Sequence, residues 1–135
     1  MTPKLEISGL DAFYGRAQIL FGVALQARAG EATALLGRNG AGKSTTFRSV
    51  MGLVPRRRGA IRFDGVEILG RATHEIARAG LGYAPEDRRI FTELTVEENL
   101  EVGRQPPRPG APTWTPERVF ALFPDLAEMR KRAGG

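Results

Sequence analysis

The fold is decided by the stretch Leu35-Leu36-Gly37-Arg38-Asn39-Gly40-Ala41-Gly42-Lys43-Ser44-Thr45, which fits the phosphate-binding pattern G-x-x-x-x-G-K-[ST] at every fixed position. The glycines allow the chain to curl so tightly that several backbone N–H groups face one phosphate. Lys43 supplies a compact charge for the β- and γ-phosphates, and Ser44 a hydroxyl for Mg²⁺. A helix beginning near Gly42 would direct its N-terminal dipole at the same phosphates.

The residues on either side of this loop support the prediction. Residues 32–36 form a short, mostly apolar run that predicts a buried parallel strand. Phe47, Val50 and Met51 recur at helical spacing, and Gly52 is placed where a helix ends. The alternative is a glycine-rich turn with a surface lysine. The chain has three lysines against seventeen arginines, so a lysine at this position favours a site that needs a point charge.

Length and composition predict one domain of an ordinary globular class. The 135 residues are 41% hydrophobic and 26% charged, and no apolar run approaches the roughly 20 residues of a membrane span. The absence of cysteine excludes disulfides and thiolate metal sites. The net charge of +5 raises the possibility of nucleic acid, acidic lipid headgroups or a partner protein. The arginine run at residues 56–58 is predicted to be a solvated turn, and no interleaved aromatic residues suggest a surface that stacks bases.

The first half of the chain predicts antiparallel strands. Residues 4–8 alternate polar and apolar side chains, residues 11–15 are predicted to turn, and residues 19–27 form a second strand. Asp64-Gly65, between apolar runs, predicts a two-residue hairpin turn. Tyr14 has two interpretations: a ring that stacks on adenine, which would contribute about 1–3 kcal/mol, or a half-buried residue that closes the turn.

The rest of the chain predicts short helices. Thr73 caps one that ends at Gly80, and the only histidine lies on its surface. Residues 81–84 predict a strand, followed by the carboxylate pair Glu86-Asp87, which either reaches Mg²⁺ or water, or lies in a solvated turn. Residues 95–98 form a capping box. Residues 106–116 carry five of the nine prolines and predict a stiff linker. Helices follow from residue 115 and, after Pro124, from residue 125.

These motifs together resemble the ATP-binding subunits of ABC transporters. Gly37 to Thr45 resembles the Walker A loop, Tyr14 the adenine-stacking aromatic residue, and residues 82–86 the Q-loop. Residues 85–91 and 94–100 resemble the branch that serves branched-chain amino acid uptake, in which glutamate stands at the Q-loop position, here Glu86. The resemblance covers the whole chain and implies ATP and Mg²⁺ as cofactors, with the following nucleotide ligands: Tyr14, Gly37, Arg38, Asn39, Gly40, Ala41, Gly42, Lys43, Ser44 and Thr45. It implies Ser44 and Glu86 as metal ligands.

The fold class implied is an incomplete α/β P-loop NTPase fold, with an antiparallel β subdomain, a Walker A strand-loop-helix unit and the start of a helical subdomain. Residues 1–90 would form the β subdomain and P-loop core, and residues 91–135 the start of the helical subdomain. The resemblance also implies a second ATP-binding subunit, transmembrane permease subunits and a cytoplasmic position at the inner face of the plasma membrane. No nucleic acid partner is implied.

The sequence lacks the family's signature motif, and no apolar strand ends in the aspartate of a Walker B motif. Residues 119–125 come closest, but Pro124 cannot lie in a central strand. We therefore expect the N-terminal portion of a transport ATPase that is inactive alone. The alternative is a truncated nucleotide-binding module without turnover, and a third class is an ATPase acting on nucleic acid, suggested only by the basic charge.

Overall fold

A computed structural model describes residues 2–135, which form two compact units, one ending at Tyr83 and the other being Ala84–Gly135. Among the described residues, no helix has both the length and the apolar character needed to cross a membrane. The elements in chain order are β1 (Leu5–Tyr14), β2 (Ala17–Ala27), α1 (Lys43–Val50), β3 (Arg56–Phe63), β4 (Val66–Glu67), α2 (Thr73–Ala79), α3 (Val96–Val102), α4 (Pro116–Leu122) and α5 (Pro124–Glu128).

The first unit contains a four-stranded antiparallel sheet in the order β2-β1-β3-β4. The predicted hairpin is confirmed, because Phe63 pairs with Val66 across the Asp64-Gly65 turn. The predicted turn at residues 11–15 is wrong. Strand β1 continues to Tyr14, which pairs with Ala17, because Ala12 and Phe13 are buried and pair on both sides.

The arginine run at residues 56–58 is also not a turn, since it begins β3 and pairs with residues 11–13 of β1. The guanidinium carbons of Arg56 and Arg58 lie 4.6 and 5.2 Å from the centre of the Phe13 ring. Arg58 also lies 3.5 Å from the Asp11 carboxylate. A guanidinium group can lie over an aromatic ring and still be exposed to water, so this basic run can pair as a strand.

A bulge divides the pairing of β1 with β3 between Ser8 and Asp11. Gly59 lies opposite this bulge with φ of 118°, and a Cβ atom there would lie 2.5 Å from the carbonyl oxygen of Gly9. Only glycine combines that backbone conformation with so close an approach of two strands.

The core of the first unit lies between the sheet and helices α1 and α2. Its buried members are Ile7, Leu10, Ala12, Leu20, Val50, Met51, Val54, Ile61, Phe63, Ile68 and Ile76. The predicted apolar face of α1 is confirmed for Val50 and Met51, whereas Phe47 is 49% exposed. Helix α2 ends at Gly80 as predicted, but its N-cap is Ala72, whose N–H donates to the Glu75 carboxylate, and not Thr73.

Arg57 joins three parts of this unit. Its Nη1 donates to the Val54 carbonyl at 2.5 Å, just after α1, and its Nη2 donates to the Leu69 carbonyl at 2.6 Å, just before α2. Burial lowers the pKa of this guanidinium. One side chain on β3 therefore holds both the segment that follows α1 and the segment that precedes α2.

Residues 32–36 and 81–84, both predicted as strands, form no ladder in the structure. Leu36 is 88% exposed, so the predicted burial of the first segment is wrong as well. A segment becomes a β-strand by hydrogen bonding to a neighbouring strand. Among the described residues, neither of these two segments has such a partner. The four strands that do form belong to a separate antiparallel sheet.

The second unit confirms its predicted helix signals. The Thr95 hydroxyl accepts from the Glu98 N–H while Glu98 accepts from the Thr95 N–H, which is the predicted capping box. The final segment returns to this cap, since Ala133 bridges to Thr95 and the Gly134 N–H donates to the Leu94 carbonyl.

An ion cluster joins the same two segments. Glu97 pairs with Arg130 and, at 2.7 Å, with the Lys131 ammonium. These partners, Lys131 first, lower the pKa of the Glu97 carboxyl. The start of α3 and the end of the chain are therefore held together by both backbone and charge.

Candidate functional site

The phosphate loop connects residues 32–36 to α1, and Lys43 is the first residue of that helix. Its ammonium donates to the carbonyls of Gly37 at 2.5 Å and Arg38 at 2.8 Å. A tight turn closes the loop between them, with the Ala41 N–H donating to the Arg38 carbonyl at 3.1 Å. The lysine charge is thus held inside the curl of the loop, where its nitrogen can meet a phosphate oxygen.

Gly40 and Gly42 take the positive φ angles that this curl requires, 83° and 97°. Gly42 is the N-cap of α1 and provides no side-chain cap. The first intrahelical bond runs from the Thr46 N–H to the Gly42 carbonyl at 2.9 Å, and the Thr46 hydroxyl donates to the same oxygen. The N–H groups of the first turn therefore have no intrahelical acceptor, which makes this helix end suited to an anion.

Charge distribution distinguishes α1 from the other described helices. The first turns of α2, α3, α4 and α5 each contain aspartate or glutamate, whereas the first turn of α1 contains none. Acidic side chains normally occupy such positions because they neutralise the helix dipole. At α1 no side chain provides this negative charge, so an anionic ligand could provide it. The exposed Ser44 hydroxyl lies in the same turn.

Tyr14 is the last residue of β1 and is 41% exposed, so its ring is available to a base. Its hydroxyl, followed by that of Tyr83, raises the pKa of the Arg48 guanidinium on α1. Arg48 was not predicted from sequence, since its only signal is its place on the helix that follows the loop. These three side chains, all in the first unit, connect the aromatic candidate to the phosphate-loop helix.

Glu86 lies in an exposed turn at the start of the second unit, whereas Ser44 belongs to the first. Their predicted joint role as metal ligands stays a prediction. Across residues 2–135 no group of three or more carboxylate or imidazole side chains is arranged to hold a metal ion. His74, as expected, is exposed on α2.

Comparison with known families gives a match to the ABC transporter model over residues 20–134. Among curated proteins, the chain is 35% identical to BraG of Pseudomonas aeruginosa, a high-affinity branched-chain amino acid transport ATP-binding protein. That alignment covers 97% of this chain and 56% of BraG. The lipopolysaccharide export system ATP-binding protein LptB of Escherichia coli is 45% identical over 66% of this chain and 36% of LptB. The chain therefore spans about half the length, or less, of the curated relatives it matches.

Solved structures give the same picture of the fold. An ATP-binding subunit of an ABC transporter superposes with a TM-score of 0.73 and 31% identity, covering 98% of this chain and 54% of that one. A nucleotide-free ATP-binding cassette superposes with a TM-score of 0.69 at 21% identity, which bears on fold alone. The predicted fold class, a partial α/β P-loop NTPase fold, is confirmed by these neighbours.

Proposed function

This chain belongs to the ABC transporter family, and on that premise we propose that it is an ATP-binding subunit of an importer for branched-chain amino acids. In this proposal ATP binding and hydrolysis by the whole protein are coupled to transport. Residues 1–90 serve as the β subdomain and P-loop core, and residues 91–135 as the start of the helical subdomain.

The observation that carries the nucleotide assignment is the first turn of α1. It alone among the described helices lacks an acidic residue, and the Lys43 ammonium is held beside it by two loop carbonyls. A triphosphate supplies the negative charge that this helix end lacks. Gly37, Arg38, Asn39, Gly40, Ala41, Gly42 and Thr45 would surround the phosphates through the backbone, and Tyr14 would stack on adenine.

The arrangement fits Mg²⁺ as the companion of ATP, since Ser44 presents an oxygen in an exposed first-turn position. When bound, the ion would neutralise charge that develops on the phosphates. Ser44 would hold it from the loop, and Glu86 would provide a carboxylate from the Q-loop position.

The substrate class is supported by the names of the relatives. BraG, BraF of Pseudomonas aeruginosa and LivF of Archaeoglobus fulgidus are all branched-chain amino acid transport ATP-binding proteins, at 35, 39 and 32% identity. LptB, an export protein, is more similar over a shorter stretch. The alignments to BraG and LivF cover 97% and 93% of this chain, which favours amino acid import.

The proposal includes partners and a location. By analogy with the family, two ATP-binding subunits would associate, as identical or different chains, and act on transmembrane permease subunits. The subunit would then lie in the cytoplasm against the inner face of the plasma membrane. Nucleic acid is not a proposed partner, because Arg56 and Arg58 of the basic run lie against Phe13 and Asp11.

A second candidate function is a module that binds nucleotide without turnover. The phosphate loop and its helix are complete within the 135 residues, whereas the sequence has no signature motif and no Walker B strand. Both candidate functions include nucleotide binding, and only the transport subunit hydrolyses ATP.

Uptake of labelled leucine, isoleucine and valine tests the proposal in cells whose intact gene has been deleted and then restored. We expect restoration by the wild-type gene and none by Lys43→Ala, with glutamate and lysine uptake unchanged throughout. Normal uptake of all three branched-chain amino acids in the deleted strain would overturn the substrate assignment.

A further inference from the structure

A cavity of about 360 Å³ lies in the second unit, between the end of α3 and the start of α4. It is formed within residues 99–119 and is separate in sequence from the phosphate loop. Its volume is in the range of small-molecule sites, about 300–1,000 Å³, and is too small for a docked helix. The predicted proline-rich linker is the segment that closes it.

The walls of this cavity are largely apolar. Leu100 contributes from α3, Val119 from α4, and four prolines line it together with Trp114. The Trp114 ring is 53% exposed and is held by Arg118, whose guanidinium carbon lies 4.9 Å from the ring centre. Arg118 is itself fixed by a 2.6 Å hydrogen bond from Nη1 to the Thr113 carbonyl. An aromatic wall fixed in this way can pack against a flat or branched apolar group.

The charges that line the cavity are all positive. Arg104 and Arg108 belong to its lining, and no aspartate or glutamate does. Arg104 is paired with Glu101 at 2.8 Å, outside the lining, whereas Arg108 has no ion pair with any carboxylate of residues 2–135. The cavity therefore offers one unneutralised guanidinium beside an apolar wall.

We propose that this α3–α4 cavity binds a small organic anion: a carboxylate on an aromatic or branched apolar body, without an ammonium group. Arg108 recognises the carboxylate, and Trp114, Leu100 and Val119 contact the apolar body. A free amino acid fits less well, because no lining carboxylate neutralises its ammonium. This site is independent of the proposed ATP site.

The test uses the fluorescence of Trp114, the only tryptophan of the chain. Three ligands share one phenyl-propyl body: 4-phenylbutanoate is anionic, 2-amino-4-phenylbutanoate is zwitterionic, and 4-phenylbutan-1-ol is neutral. Each is titrated into the 135-residue chain with excitation selective for tryptophan. We expect saturable change with the anion, at an affinity at least about tenfold above that of the zwitterion or the alcohol, as for a charge-assisted hydrogen bond.

Two variants separate the site from general charge effects. Arg108→Gln should lose about tenfold in affinity for the anion and nothing for the alcohol. Arg28→Gln removes another exposed arginine, in the first unit, and should change neither affinity. Any one of three results would overturn the proposal: equal responses to the three ligands, a response to the anion that does not saturate, or an equal loss of affinity in the two variants. Circular dichroism of both variants shows whether a loss of affinity comes from unfolding.

Discussion

The Lys43 ammonium nitrogen lies 2.5 Å from the carbonyl oxygen of Gly37, so one hydrogen bond joins the lysine of the phosphate-binding pattern to its first glycine. The donor belongs to α1 and the acceptor to the irregular segment before it. Removing the lysine therefore removes both a ligand charge and the contact that closes the loop.

For Lys43→Ala, we expect nucleotide affinity to fall below detection by calorimetry while the circular dichroism spectrum stays unchanged. The side chain is only partly buried and makes no core contact, so the fold does not depend on it. Lys4→Ala is the matched control, since Lys4 is an exposed lysine paired with Asp64. Equal affinity of the two variants for ATP would refute the phosphate-loop assignment.

For Tyr14→Ala, we expect ATP binding to weaken by about 1–3 kcal/mol, with a much smaller loss for inorganic triphosphate, because stacking acts on the base. Calorimetry with both ligands measures the difference. Tyr14→Phe keeps the ring and should bind ATP nearly as wild type does. Matching losses for the two ligands would assign Tyr14 a structural role instead.

Glu97 gives a prediction for the pH dependence of stability. Its pKa is depressed below 4.5 in the folded state, so its ion pairs stabilise the fold above that pH, and the contribution is lost as pH falls through the folded-state pKa. Glu97→Gln should lower the urea midpoint at pH 6, and the difference from wild type should shrink below pH 4.5.

The control for this experiment is Glu93→Gln, which removes an exposed glutamate that lies outside every ion pair of the described chain. The urea midpoint of Glu93→Gln should equal that of the wild type at pH 6 and at each lower pH. A pH-independent gap between Glu97→Gln and wild type would show that the ion pairs with Arg130 and Lys131 do not stabilise the fold.

Gly59→Ala is expected to destabilise the first unit by about 2–4 kcal/mol, because a Cβ atom would meet the Gly9 backbone and φ is positive. Gly65→Ala is the matched variant, since its φ is also positive but no atom lies within 4 Å of the added Cβ. It should cost only about 1 kcal/mol. Urea unfolding of both variants measures the two costs, and equal values would mean that the strands separate to admit the methyl group.

The 135-residue chain should show no ATP hydrolysis above background, even with Mg²⁺ at high protein concentration. Its sequence provides the loop that binds phosphate but neither a Walker B aspartate nor a signature motif, and a second copy lacks the same groups. Groups that stabilise the transition state contribute orders of magnitude in rate. Phosphate release is followed against Lys43→Ala, and turnover that depends on Lys43 would contradict this prediction.

Local chemistry made several elements predictable. Thr95 with Glu98, Asp64 with Gly65, and Pro116 after Thr115 each satisfy or restrict the backbone within a few residues, so sequence alone locates them. The phosphate loop was predictable for the same reason, because its glycines affect the backbone conformation only at their own positions.

Pairing between distant residues was not predictable in the same way. The run at residues 56–58 becomes a strand because Phe13 lies across from it, more than forty positions earlier. Residues 32–36 have strand-like composition but no ladder partner among the described residues. The Arg48 cluster likewise depends on Tyr14 and Tyr83, which only the fold brings to the helix.

The Arg57 side chain anchors the C-terminal side of α1 to the sheet. Its guanidinium, on β3, binds the carbonyls of Val54 and Leu69, so the segment that follows α1 is held to the sheet. A triphosphate at the N-terminal end of α1 would therefore restrain a helix whose C-terminal side is already fixed to the sheet.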